Sequence, residues 1–138
     1  MLFVLVTPTP HPQTLPPQRA GIKGGDVAMD LIRERDGSVA HTASGFSAAD
    51  RFKVAFTCPP GIPLHVEVGI WQAGAVSFPL ASMPLQCGNR IILPGAFRIT
   101  GDGAAVVCVF YSEIAAPSRR AISAAGPRGA REAVCLEL

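Results

Sequence analysis

The sequence has little charge. Asp, Glu, Lys and Arg make up 16% of its 138 residues, whereas roughly 25% is usual for soluble domains. The formal net charge is +2, and no group of lysines and arginines alternates with aromatic residues. Nucleic-acid binding relies on a strong positive field. The composition therefore excludes a nucleic-acid-binding protein and leaves few charges to cover the surface.

The low charge has two interpretations. In the first, part of the surface is covered by a protein partner or a membrane. In the second, the chain simply has an Ala-rich and Gly-rich composition without functional meaning. The one basic concentration places Arg119, Arg120, Arg128 and Arg131 within thirteen residues. A polybasic membrane anchor carries about 4–8 charges that lie closer together. We therefore expect these arginines to form a solvated surface.

Long hydrophobic runs are also absent. The chain opens with six apolar residues, Met1 to Val6, whereas a membrane-spanning helix needs about 20. The basic stretch and small-residue cleavage site of a signal peptide are lacking. We expect this start to be the remnant of an anchor that begins upstream, or an apolar tag that contacts a partner through Leu2, Phe3, Val4 and Leu5.

The sequence has no motif of nucleophilic catalysis. Ser112, His65 and Asp102 would form a triad only if the fold brought them together, and no Gly-x-Ser-x-Gly is present. We expect His65 to be solvated on the polar face of a strand. Asp102 stands between two glycines, where a short polar side chain favours a turn. No enzyme is predicted.

Acidic pairs and phosphate loops are missing as well. Asp30, Glu67 and Glu113 fall in predicted strands, where each is the polar member of an alternating pair. The glycines between Gly21 and Gly25 lack the following helix and the Gly-Lys-Ser/Thr ending of a phosphate loop. We therefore expect no catalytic residues, no metal and no cofactor.

The cysteines are too widely spaced for a metal or dithiol site. They are separated by 29, 21 and 27 positions, the three histidines are scattered, and no Cys-x-x-Cys pair occurs. An even count allows two disulfides, in three connectivities, if the compartment is oxidising. Equally, Cys108 in an apolar strand could be a free thiol that acts as a small hydrophobe. Both alternatives stay open for Cys58, Cys87, Cys108 and Cys135.

What the sequence does contain is alternation of apolar and polar residues. The run from Arg51 to Cys58 places Phe52, Val54 and Phe56 on one face, and a second run follows from Leu64 to Trp71. A period of two broken by Pro and Gly is typical of antiparallel strands with one solvated face. The sequence therefore predicts a sheet whose polar face includes His65 and Glu67.

Further strands follow from the same pattern. Two hairpins are predicted: one turns at Asp36-Gly37 after the strand 26–33, and the other turns at Ala73-Gly74 into the strand 75–80. Strands are also predicted at 91–93, 96–100 and 134–138, whereas 81–90 is irregular and 117–129 contains at most one helical turn. The segment 104–112 is apolar on both faces, so we expect a central strand that is covered on both sides.

Seven or eight short strands with little helical periodicity predict an all-β fold. The expected architecture is a two-layer antiparallel β-sandwich, immunoglobulin-like or jelly-roll-like. Five prolines between residues 7 and 20 indicate an extended linker. The predicted domains are therefore an apolar start and proline-rich arm over 1–20 and a β-sandwich domain over 21–138.

Trp71 is the sole tryptophan and falls beside the second hairpin turn. If it is exposed, it is a candidate binding anchor. The alternative is that it caps the open end of the sandwich core.

The order of these motifs resembles a known family. Ile22-Lys-Gly-Gly25, Ala49-Asp50 before the strand at Arg51, Ile92-Leu-Pro-Gly95 and the late strand 106–111 are similar to an uncharacterised bacterial β-sandwich domain of cell-envelope proteins. That domain often follows a transmembrane helix in predicted anti-sigma-factor-like proteins. The resemblance covers about residues 21–114 and implies an extracytoplasmic setting.

The function predicted from these observations is a non-enzymatic interaction module. We expect an accessory subunit of a cell-envelope or membrane-associated assembly, with protein partners contacted by the arm, Trp71, and the terminal strand through Val134 and Leu136. A homo-oligomer is not excluded. The alternative is an extracytoplasmic sensory or ligand-binding β-sandwich with its pocket at Trp71.

Overall fold

The fold is built from strands, with one short helix. The computed structural model describes residues 18–22, 25–41, 45–101, 103–126 and 132–138. The predicted contacts at residues 2–5 lie outside these ranges. The elements are β1 (Gln18–Ile22), β2 (Gly25–Arg35), β3 (Ser38–His41), β4 (Arg51–Thr57), β5 (Pro63–Gln72), β6 (Ala75–Ser77), β7 (Met83–Gln86), β8 (Ile91–Ile92), β9 (Ala105–Ser112), α1 (Arg119–Ala125) and β10 (Ala133–Glu137).

The strands form two antiparallel sheets of five strands each. In the first sheet, β2 pairs with β4 along one edge and with β1 and β3 in tandem along the other, and β4 also pairs with β8. The second sheet has the same plan around β5. It pairs with β9 along one edge and with β7 and β6 along the other, and β9 pairs with β10.

Both sheets contribute to one buried core. The first sheet supplies alternate residues of β2 and β4, and the second supplies alternate residues of β5, β9 and β10. Phe52, Val54 and Phe56 are fully buried, whereas Arg51 and Lys53 between them are exposed. The all-β class and the alternation of this strand are therefore confirmed.

The two predicted hairpin turns are also confirmed. Asp36 and Gly37 have φ of 50° and 78°, and Ala73 and Gly74 have φ of 51° and 79°. A two-residue turn with both φ values positive follows the right-handed twist of the flanking strands, which is why it closes tight hairpins.

The strand prediction was wrong or incomplete in several places. The structure has ten strands in the described ranges, not seven or eight. β7 lies in the segment predicted to be irregular, and β1 begins at Gln18, inside the predicted arm. Residues 96–100 form no strand. Phe97 makes an isolated bridge to Phe52, and both rings are buried.

One disulfide joins the two sheets. Cys58 directly follows β4 of the first sheet and is bonded to Cys87, which directly follows β7 of the second. The amide of Cys58 also donates to the carbonyl of Gly88, and the amide of Cys87 donates to that of Ile62. The covalent bond therefore fixes the end where the chain crosses between the sheets.

The other disulfide lies within the second sheet. Cys108 of β9 and Cys135 of β10 are directly opposite in the strand register and are bonded to each other, so Cys108 is not a free thiol. The two disulfides close loops of 29 and 27 residues. In the chain-entropy description each stabilises the fold by about 3–4 kcal/mol.

A buried ion pair holds the loop that enters β4. Asp50 is fully buried, and its two carboxylate oxygens accept hydrogen bonds from Nε and Nη2 of Arg35 at 2.5 and 2.7 Å. The amide of Ser47 donates to the same carboxylate at 2.8 Å. The Arg35 hydrogen bond lowers the pKa of the Asp50 carboxyl to about 2, against an opposing effect of burial.

This ion pair predicts a pH dependence. Because the pKa of Asp50 is lower in the folded chain than the value near 3.9 of an unfolded one, Asp50 stabilises the fold above about pH 4 and loses that effect as the pH falls towards 2. Asp50→Asn should lower the free energy of unfolding by about 1–2 kcal/mol at pH 7. It should also make the free energy of unfolding depend less on pH between pH 4 and pH 2.

Urea denaturation from pH 7 to pH 2 measures both quantities. Asp26→Asn, which removes an exposed carboxylate from β2, is the matched control for the loss of one negative charge. Parallel curves for the wild type and Asp50→Asn would contradict the role of this pair.

Candidate functional site

The outer face of the second sheet is apolar and covered. Residues of β5 and β9 that point away from the shared core form a second cluster, which includes Trp71, Cys108 and Phe110, with Ile122 of α1 packed on them. The prediction that β9 is covered on both sides is confirmed. The prediction of a solvated face on β5 was wrong, because Glu67 is only 1% exposed and Trp71 only 9%.

A glycine allows this cluster to pack closely. Gly69 lies between Glu67 and Trp71 on the outer face of β5. A Cβ atom there would come within 2.9 Å of the Phe110 ring and 3.3 Å of Val76. The missing side chain therefore makes room for Phe110 to lie across β5.

The helix that covers this face has clear start and stop signals. Ser118 is the N-cap and accepts the amide of Ala121 at 3.2 Å through its hydroxyl. Gly126 ends the helix with φ of 76° and donates to the carbonyl of Ile122. A helix of seven residues is too short to be stable alone. The arginines in its first turn also oppose the helix dipole. Helix α1 therefore depends on its contacts with the sheet.

Arg119 makes the strongest of these contacts. Its Nε donates to the buried carboxylate of Glu67, and its Nη2 donates to the carbonyl of Leu80 at 3.0 Å. Its guanidinium carbon also lies 4.9 Å from the centre of the Phe78 ring, a distance typical of a cation–π contact. The side chain of Arg119 is 50% exposed, so its predicted place at the surface is confirmed, but it is bound to the sheet instead of being freely solvated. Arg128 and Arg131 lie outside the described residues.

Two polar atoms on this face have no hydrogen-bond partner among the residues that the structure describes. They are Oε2 of Glu67 and the indole Nε1 of Trp71, and both are buried. A buried donor or acceptor without a partner costs about 1–3 kcal/mol. Such groups are rare in native proteins, and each of them requires an explanation.

Trp71 also lines a cleft. The cleft has a volume of about 510 Å³ and lies between the β5–β6 turn and the C-terminal end of α1. Its walls include Trp71, Gln72, Val106 and the last turn of the helix from Ser123 to Gly126. The volume falls within the roughly 300–1,000 Å³ of small-molecule sites.

Two of the three residues considered for a catalytic triad are neighbours in the structure. His65 and Ser112 are opposite each other on β5 and β9. Asp102 lies outside the described residues.

The predicted partner contacts have different positions. Val134 and Leu136 of β10 are 3% and 0% exposed, and their side chains belong to the shared core. A partner at this strand would therefore contact its backbone and not these side chains. β10 also lies alongside β1 and β2 of the first sheet. Trp71 lies beneath α1 instead of capping the core between the sheets.

The structure gives no sign of a metal site or a membrane-spanning helix in its described part. No group of three or more His, Cys, Asp and Glu side chains in those ranges could hold a metal ion. The one helix found there is too short and not apolar enough to cross a bilayer.

Comparisons with protein-family profiles, curated proteins and solved structures find no match for this chain. The resemblance to a bacterial envelope β-sandwich domain therefore stays a prediction. The site is interpreted from its own geometry alone.

The importance of Glu67, Arg119 and Ile122 was missed from the sequence. A signal for the helix is present, since Ser118 and Gly126 bracket a short Ala-rich segment in the pattern of an N-cap and a C-cap. Nothing in the sequence of β5 indicates that this helix covers it.

The Arg119–Glu67 pair predicts a coupled loss of stability. Arg119→Met keeps an aliphatic side chain near Phe78 but leaves the Glu67 carboxylate buried without its partner, so it should destabilise the fold by about 1–3 kcal/mol. Glu67→Gln in the same protein should recover part of this loss. Urea denaturation of both single variants and the double variant measures the coupling. Strictly additive losses would contradict the pair.

Proposed function

We propose that this protein is a non-enzymatic binding module of an extracytoplasmic compartment and that the cleft beside Trp71 is its recognition site. The observation that carries the proposal is that Trp71 lines the cleft and has a buried indole Nε1 without a hydrogen-bond partner among the described residues. A ligand that accepts this hydrogen bond would remove the cost of the unpaired donor.

The disulfides support the choice of compartment. All four cysteines are paired in two disulfides, which indicates an oxidising environment because cytosolic thiols are kept reduced. A bacterial periplasm or cell envelope fits this chemistry, and the family resemblance implies the same location. We further propose that the two sheets form an immunoglobulin-like or jelly-roll-like sandwich of the envelope type.

The shape of the cleft supports binding of a small ligand. One wall is the sheet, held by the core and by the Cys108–Cys135 disulfide, and the other is the last turn of α1. The wall formed by the sheet is preformed and rigid, so it loses little entropy on binding. Small side chains such as Ala104 and Ala124 leave the space between the walls open.

The indole N–H provides a specific test. Because Trp71 is the sole tryptophan, it gives one indole resonance in a ¹H–¹⁵N spectrum. We expect a library of neutral, acidic and basic fragments to give hits that shift this resonance together with the amides of Gly74 and Gly126. Trp71→Phe removes the donor and keeps a ring, so it should weaken these hits about fivefold.

Val39→Ser is the matched control, since Val39 is 63% exposed on β3 of the first sheet. Its spectrum should show the same hits as the wild type. Fragment binding confined to other surfaces, or no binding at millimolar concentration, would contradict the proposed site.

Exposed apolar side chains favour a second candidate function, an accessory subunit of a larger envelope or membrane-associated assembly. Ile114 is 91% exposed, Val39 63% and Ile92 44%, on a chain with few surface charges. In this proposal, protein partners contact the apolar residues 2–5 and the exposed side chains of the domain.

A truncation tests this second function. Removal of residues 1–17 ends before β1, so it should leave the melting temperature unchanged and abolish co-purification of partners from native extracts. A full-length variant with Leu2, Phe3, Val4 and Leu5 replaced by serine is the control for chain length and should behave like the truncation. Unchanged partners for either variant would refute the accessory role, and self-association lost in both would point to a homo-oligomer.

A further inference from the structure

The chemistry of the Trp71 cleft indicates which class of ligand it takes, and this inference rests on the binding function proposed above. Every described residue that lines the cleft is uncharged. A charged ligand would lose hydration on entering and find no opposite charge among these described residues. The described lining therefore favours a neutral ligand over a phosphate, a carboxylate or an ammonium group.

The hydrogen-bonding groups of the cleft include both donors and acceptors. The buried indole Nε1 of Trp71 is a donor without a partner in the described part of the chain. The last turn of α1 presents carbonyls, because the final residues of a helix have no later amide within the helix to accept from. The amide of Gly126 donates to the carbonyl of Ile122, and no amide of a described residue donates to those of Ser123, Ala124 and Ala125. A hydroxyl group can accept from the indole and donate to such a carbonyl.

The last turn of α1 is the less firmly attached end of the helix. The hydrogen bonds of Arg119 and the Ser118 cap both lie at its beginning, and Ile122 supplies its buried side chain. The residues that follow are small and exposed. A small outward movement of this turn would bring the buried Nε1 of Trp71 within reach of a ligand in the cleft.

The geometry points to a neutral saccharide as the ligand of this cleft. Its hydroxyls pair with the indole N–H and with the carbonyls of the last turn, and its C–H surface packs against Val106 and the ring of Trp71. A peptide that binds by strand addition is less well suited, because it needs a free sheet edge, whereas the cleft lies at a hairpin turn, where β5 ends.

Titrations followed by the indole resonance test this inference with matched probes. The neutral probes are cellobiose, maltose and N,N′-diacetylchitobiose. The comparison probes are cellobionate, chitobiose and an acetylated Ala-Gly-Ala amide, which add a negative charge, positive charges or a peptide backbone. We expect at least one neutral disaccharide to bind about tenfold more tightly than every comparison probe, the effect of about 1.4 kcal/mol. In Trp71→Phe, which has no indole, the amides of Gly74 and Gly126 report the binding, and we expect it to be weaker.

The outcomes separate this inference from the proposed function. If a charged probe or the peptide shifts the indole resonance at lower concentration than the disaccharides, the saccharide is wrong while the binding site stands. If fragments shift this resonance and no disaccharide does, the saccharide is again wrong and the binding site again stands. If no fragment and no probe shifts it, both proposals are overturned. Val39→Ser serves again as the control variant.

Discussion

The structure depends on one constraint: the central strands of the second sheet, β5 and β9, are buried on both faces along most of their length, so both faces must be covered. The inner face packs on the first sheet in the shared core. The outer face is covered by α1 through Ile122 and through Arg119, which pairs with Glu67. Because α1 has only seven residues, it leaves the Trp71 end of the sheet partly open. The cleft is the consequence of this incomplete cover.

The disulfides support this arrangement at two different levels. Cys58–Cys87 fixes the two sheets to each other where the chain crosses between them, and Cys108–Cys135 fixes β10 to β9 beneath the helix. With the scaffold held covalently, a short helix can be docked by a few contacts and its last turn can form a wall of the site. The same bonds indicate an oxidising environment.

Much of the fold could be predicted from the sequence, because the signals are local. Alternation located β4 and β5. Asp36-Gly37 located the turn between β2 and β3, and Ala73-Gly74 the turn between β5 and β6, by chemistry that acts within four residues. The site could not be predicted in the same way. Glu67 has the sequence pattern of a solvated residue. Its buried carboxylate is paired with Arg119, which is 52 positions later in the chain. Cysteine pairing and the tandem strand β7 likewise depend on contacts distant in sequence.

The fluorescence of Trp71 tests the central claim most directly, because it reports on the cover of the outer face. The account predicts a native emission maximum typical of a buried indole. In Ile122→Ser, which weakens the docking of α1, the maximum should move to longer wavelength while the far-ultraviolet circular dichroism of the sheets is unchanged. A native maximum already equal to that of the unfolded chain, or one that Ile122→Ser does not move, would contradict the account.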